Sequence, residues 1–162
     1  MKVSSKVRIS SKKGSLLLEV LIVVSIVTVS VLAALSVTQK SIYLARQSLR
    51  QAQAAFLLEE GTEATRIVRD NAWSGMSSLT VDTNYYLSFS GGTWVLSSTP
   101  SQVYVFTREI VFSSAYRDSS QNLAPSGTLD NQTRLVTVTV SWTEGAQTIS
   151  KSLQFYLTDL FS

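Results

Sequence analysis

The sequence predicts an α+β fold: one long N-terminal helix whose outer half packs on an antiparallel sheet of about four or five strands. Three observations carry this. No proline interrupts the chain between Ser15 and Asn71, and the residues there are mostly apolar or good helix formers. After Asn71 the hydrophobic period changes to two, most plainly in "RLVTVTVSW" from Arg134 to Trp142. Turn signals at Ser90-Gly91-Gly92 and Glu144-Gly145-Ala146 then divide the alternating segments.

The first element is dictated by hydrophobicity and charge. From Val20 to Gln39 no residue is charged, and at about 1.5 Å per residue a helix of this length crosses a hydrocarbon core of about 30 Å. Five of the fourteen basic residues, Lys2, Lys6, Arg8, Lys12 and Lys13, precede that run with no acid among them. The remaining chain holds nine basic and eleven acidic residues, a balance of −2, so the overall charge of +3 belongs to the leader. Such a leader marks a cytoplasmic membrane face and not a nucleic-acid surface, which places the N-terminus inside and everything after Lys40 outside. A removable secretory signal and an uncleaved signal anchor are the competing readings. Against the removable signal stand the length of the apolar run, Glu19 near its start, and the continuation of the helical pattern beyond it.

Glu19 is the anomaly. A charge at the bilayer centre costs about 2.5 to 3.5 kcal/mol on insertion scales, so an acid within an apolar helix is a functional candidate unless it snorkels to the headgroups.

The residues Lys12-Lys13-Gly14-Ser15-Leu16-Leu17-Leu18-Glu19, followed by some twenty apolar residues, resemble the cleavage and methylation signature of type IV prepilins and pseudopilins. The resemblance implies that a prepilin peptidase removes residues 1–14 by cutting after Gly14 and methylates the new amino terminus at Ser15. Glu19 then stands at the fifth place of the mature chain. In an assembled filament the resemblance implies that Glu19 of an incoming subunit pairs with the amine of a docked one, so that an unpaired charge rewards correct axial register. Two positions depart from the usual pattern, Ser15 where phenylalanine is common and Leu16 where threonine or serine is, and the apolar run lacks a kinking proline. These departures favour a minor subunit.

The helix continues past Lys40. Between Gln39 and Asn71 lie no proline and a single glycine, Gly61, and Ile42, Ala45, Leu49, Ala52, Phe56, Leu57, Ala64, Ile67 and Val68 recur every three or four residues, which predicts one buried stripe. Four segments follow: a leader over 1–14, a membrane and assembly half over 15–39, an amphipathic outer half over 40–72, and an extracytoplasmic sheet domain over 73–162. Within the last, Tyr85–Phe89 and Thr93–Leu96 predict a hairpin, and Val103–Phe112, Arg134–Trp142 and Thr148–Thr158 predict longer strands. Along the second of these, Val136, Val138, Val140 and Trp142 share one face and Leu135, Thr137, Thr139 and Ser141 the other. Ser113–Thr133, rich in Ser, Asn and Asp and holding Pro125 and Gly127, predicts a surface loop.

Chemistry is sparse. Cysteine and histidine are both absent, which removes thiol chemistry, disulfides, the commonest metal ligand and any Ser-His-Asp triad. No enzyme and no cofactor is expected. Asp118, Asn122 and Asp130 offer hard oxygen ligands for calcium, but without EF-hand spacing a solvated loop is the stronger reading. Tyr85, Tyr86, Trp94, Tyr104 and Tyr116 with Arg108, Arg117 and Arg134 would suit single-stranded nucleic acid if they shared a face, whereas aromatics in strands ordinarily make sheet core.

Two functions of different class follow. The resemblance implies a structural, minor subunit of a type IV pilus-like filament or a type II secretion pseudopilus, serving adhesion, motility, DNA uptake or secretion at the cell surface. Its partners would be the prepilin peptidase, other pilin or pseudopilin subunits, an inner-membrane assembly platform and membrane lipid. The alternative is a monomeric, signal-anchored extracytoplasmic binding domain, an adhesin or DNA receptor.

Overall fold

A computed structural model describes residues 13–160, with side chains over 15–160. Of the basic leader, Lys2, Lys6, Arg8 and Lys12 lie outside the described residues, and Lys13 and Gly14 are described as helical backbone alone. The chain divides into two compact units, one ending at Ser48 and one beginning at Leu49.

Helix α1 runs unbroken over Lys13–Asn71, 59 residues, about five times the mean helix length. It ends where Ala72 turns extended, and a five-residue helix α2, Trp73–Ser77, follows and buries Met76. The α2 segment was not expected from periodicity.

The second unit is an antiparallel sheet with the last turns of α1 on one face. In chain order its strands are β1 (Asn84–Ser90), β2 (Thr93–Ser97), β3 (Gln102–Val103), β4 (Phe106–Arg117), β5 (Leu123–Ala124), β6 (Thr128–Glu144) and β7 (Gln147–Thr158). The main path is β2-β1-β4-β6-β7, and the two-residue β3 and β5 both pair with β4. Five strands thus carry the architecture, in line with the expected number. The predicted hairpin is present, with Phe89 opposite Trp94 and Ser90 opposite Thr93.

The alternation in β6 comes out as the sequence pattern requires. Val136, Val138, Val140 and Trp142 are buried, alongside Phe106, Ile110 and Phe112 of β4, which stand opposite Trp142, Val138 and Val136. Leu87, Leu157, Met76 and Ala64 complete the main core, and Ala54 joins Phe106, Val140 and Trp142 in a second cluster.

Three expectations need correction. First, the apolar residues from Ile42 to Val68 do not form one buried stripe but two rows on different sides of α1. The sheet takes Ala54, Leu57, Leu58, Gly61, Ala64, Thr65 and Val68, while Ile42, Ala45, Leu49, Ala52, Phe56 and Ile67 are exposed. The choice is steric: the sheet-facing row is rich in small residues. At Gly61 an added Cβ would sit 2.9 Å from Val138 Cγ1 and 3.0 Å from Arg108 Cδ.

Second, Val103–Phe112 is not one strand. The chain reverses through Tyr104, at φ 57°, and Val105, so that Val103 pairs with Phe106. Third, most of Ser113–Thr133 is strand, because β4 continues to Arg117 and β6 begins at Thr128. Local polarity suggested a loop, but pairing partners override propensity in sheets. The irregularity that does exist is a bulge: Ser114 pairs with Arg134 and Ala115 with Asp130, leaving residues 131–133 without a partner on β4. The connection before β6 needs Gly127, at φ 147°, because a Cβ there would come 2.2 Å from the Arg117 carbonyl oxygen.

Strand β7 closes one side of the sheet. Its twelve residues pair with β6 in unbroken register, from Glu144 opposite Gln147 to Thr133 opposite Thr158. Its other side has no strand partner among the described residues.

Candidate functional site

The candidate site is the first half of α1. Leu16, Leu17, Leu18, Val20, Leu21, Ile22, Val23 and Val24 are all exposed, and the most apolar window of α1 has no buried residue. The helix is long and apolar enough to cross a membrane. Six of its hydroxyls are internally satisfied. The hydroxyls of Ser25, Thr28, Ser30, Ser36, Thr38 and Ser41 each donate to the carbonyl four residues earlier, at 2.8 to 3.0 Å. Back-bonding of this kind lets serine and threonine sit in hydrocarbon without an orphaned hydroxyl.

Glu19 has no such arrangement. It is exposed, borders a shallow apolar groove with Leu16, Val20, Val23 and Val24, and has no ion-pair partner among the described residues. Ser15 lies four residues before it, one helical turn away and on the same side. A cation supplied at the N-terminal end of this or another helix would meet the carboxylate. Of the remaining predicted site residues, Gly14 and Lys13 contribute helical backbone and Lys12 lies outside the described residues.

The acidic loop candidates are built into the sheet instead. Asp118 closes its own turn: its Oδ1 accepts the backbone N–H groups of Ser120 and Asn122 at 2.8 and 2.9 Å. The backbone bond from Asn122 is the main reason its carboxyl lies below the usual aspartate range. Asp130 accepts from Arg117 Nε at 2.7 Å and from the Gln132 N–H at 2.9 Å. Burial works to raise its pKa, but hydrogen bonds from Thr133, Arg117 and Gln132 together outweigh it and the net shift is downward. Asn122 is exposed, and no group of three or more acidic side chains converges among the described residues.

The aromatic and basic candidates do not gather on one exposed face. Arg108 is buried on the helix side of β4, bonded to Glu60 and to the Leu57 carbonyl, with its guanidinium 5.3 Å from the Trp94 ring centre. Arg134 is also buried and donates to the carbonyls of Thr133 and Ser77. Tyr86 is buried and its hydroxyl donates to Glu109, whereas Tyr85 packs edge-on against Phe112. Arg117 is held by Asp130 and the Gln121 carbonyl, Tyr116 is half-buried, and Tyr104 stands 92% exposed at its turn. The Glu60–Arg108 tie between α1 and the sheet escaped sequence reasoning, although the lone glycine next to Glu60 was a legible sign of close approach.

No protein-family model, curated protein or solved structure matches the chain.

Proposed function

We propose that the chain is a minor structural subunit of a type IV pilus-like filament or a type II secretion pseudopilus, held in the cytoplasmic membrane by the first half of α1 with its N-terminus inside. A prepilin peptidase cuts after Gly14 and methylates Ser15, and the mature subunit is drawn by an assembly platform into contact with its neighbours. One observation carries this reading: Glu19 is an exposed carboxylate with no ion-pair partner among the described residues, at the head of the charge-free run of a helix long and apolar enough to span. Its cost in hydrocarbon is removed by a cation from another subunit, so it favours one docking register. A simple anchor gains nothing from such a charge.

Co-expression with an active prepilin peptidase tests the reading by mass spectrometry of the membrane fraction. The expected species lacks residues 1–14 and begins at N-methyl-Ser15. An intact chain in the presence of active enzyme, or a new terminus near Ala34, overturns it and favours the signal-anchored binding domain.

A further inference from the structure

A polar cleft of about 460 Å³ opens beside the bulge in β6, a size proper to a small ligand. Its walls are Arg117 at the end of β4, Gln121 in the turn that follows, and Thr128, Asp130, Asn131 and Gln132 of β6. All belong to the unit that begins at Leu49. The backbone around the cleft is tied down. Arg117 Nε donates to Asp130 at 2.7 Å and its Nη1 to the Gln121 carbonyl at 2.8 Å, which fixes the turn against β6. The Gln132 N–H donates to Asp130 Oδ1 at 2.9 Å, and the Gln132 carbonyl accepts from the Asp159 N–H at 2.8 Å, which fixes the bulge. The recognition groups are left over. The carboxamides of Gln121, Asn131 and Gln132 and the hydroxyl of Thr128 are exposed and make no hydrogen bond among the described residues. Gln121 moreover holds φ 66°, so a long polar side chain stands where the backbone favours glycine.

We propose that this cleft binds a neutral saccharide, read by the carboxamides of Gln121, Asn131 and Gln132 on a frame fixed by Arg117 and Asp130. The lining selects the ligand class. Its one guanidinium is already met by its one carboxylate, so neither an anion nor a cation finds an unmatched charge. Leu129, 49% exposed, is its one large apolar residue, too little to hold an apolar ligand. Three free carboxamides, each able to donate and to accept, match a ligand whose own groups do both. The neighbouring hydroxyls of a sugar ring are such groups, and the C–H face of the ring can lie on Leu129. Because the frame is bonded before any ligand arrives, little ordering is left to oppose binding. The cleft belongs to the sheet unit, and its role depends neither on processing nor on filament assembly.

Saturation-transfer difference NMR on the full-length chain in phosphatidylcholine nanodiscs tests this. The probes are the methyl glycosides of glucose, galactose, mannose, N-acetylglucosamine and N-acetylgalactosamine. At least one should receive saturation, and its affinity should fall about ten-fold in Asn131→Ala and in Gln121→Gly, the loss of one carboxamide's pair of hydrogen bonds. Glycine adopts φ 66° freely, so the loss in Gln121→Gly reports the side chain and not the turn. Gln147→Ala, at the other end of β7, should bind as the wild type does. Silence of all five glycosides would overturn the proposal, as would affinity unchanged in both cleft variants. So would tighter binding of N-acetylneuraminic acid, or displacement of the glycoside by inorganic phosphate, since either makes Arg117 an anion site. Cleavage after Gly14 is scored separately, so a failure of the pilin reading leaves this result interpretable, and an empty cleft leaves that reading untouched.

Discussion

Gly61→Ala should destabilise the sheet domain, although the same change in an exposed helix stabilises it. Alanine gains about 1 kcal/mol over glycine from helix propensity alone. Against this, the new methyl carbon would lie 2.9 Å from Val138 Cγ1 and 3.0 Å from Arg108 Cδ. Neither neighbour yields easily. Val138 is a fully buried residue in the middle of β6, and Arg108 is buried and tied to Glu60. Overpacking a core of this kind costs about 1 to 3 kcal/mol, so the net effect is a loss of about 1 kcal/mol. The assay is urea unfolding of the chain from Gln39 onward, where slopes of about 1 to 3 kcal/mol per molar make such a loss a drop in midpoint of roughly 0.3 to 1 M. Gly75→Ala in α2 is the control, because a Cβ there meets nothing within 4 Å, and it should be neutral or stabilising. If Gly61→Ala raised the midpoint as Gly75→Ala does, the close approach of helix and sheet would be refuted.

If the proposed filament role holds, Glu19→Leu should insert into membranes at least as well as the wild type yet be lost from sheared surface filaments. Leaving a buried partner unpaired costs about 3 to 5 kcal/mol, roughly two to four decades in an equilibrium constant. Wild-type incorporation would mean that the carboxylate merely reaches the headgroups. Phe56→Ala and Phe112→Ala should separate widely in urea unfolding. Phe112 is fully buried and its truncation should cost about 3 to 5 kcal/mol, whereas Phe56, on the exposed row, should cost under about 1 kcal/mol. Comparable losses would restore the single-stripe reading. The native pKa of Asp130 is depressed, so its contribution is present above the ordinary aspartate range and disappears as pH falls through the depressed value. Asp130→Asn should therefore flatten the acid limb of the stability profile, and an unchanged limb would remove Asp130 as its source.

What the sequence disclosed depended on how far each signal reached along the chain. The spanning run, the continuity of α1 to Asn71 and the faces of β6 rest on neighbours in sequence, and all were legible. The split of the apolar residues on α1 was not, because steps of three and four fit two lines at once, and only the sheet decides which line is covered. Gly61 held that information, since a glycine in the interior of a long helix implies something close by, but it did not say what. The strand content of Ser113–Thr133 was hidden because Thr128, Leu129 and Asp130 owe their conformation to Arg117, Tyr116 and Ala115 on β4. In the candidate site the isolated charge of Glu19 in an apolar helix was visible in the sequence, whereas the enclosure of Arg108 by Glu60, Leu57 and Trp94 was not, since it joins residues up to 51 positions apart.

The free side of β7 sets a further condition on the chain. A twelve-residue edge with no proline, glycine or bulge is a template on which any extended segment can grow. It holds one charge, Lys151, which stands opposite Val140 on the helix side and remains exposed beside the partly uncovered Leu153. A lysine pointing toward the apolar side of an incoming strand must lose its hydration before that strand can seat. Lys151 thus stands in the way of strand addition at this edge, and its worth would lie in associations it disfavours and not in any contact within the fold.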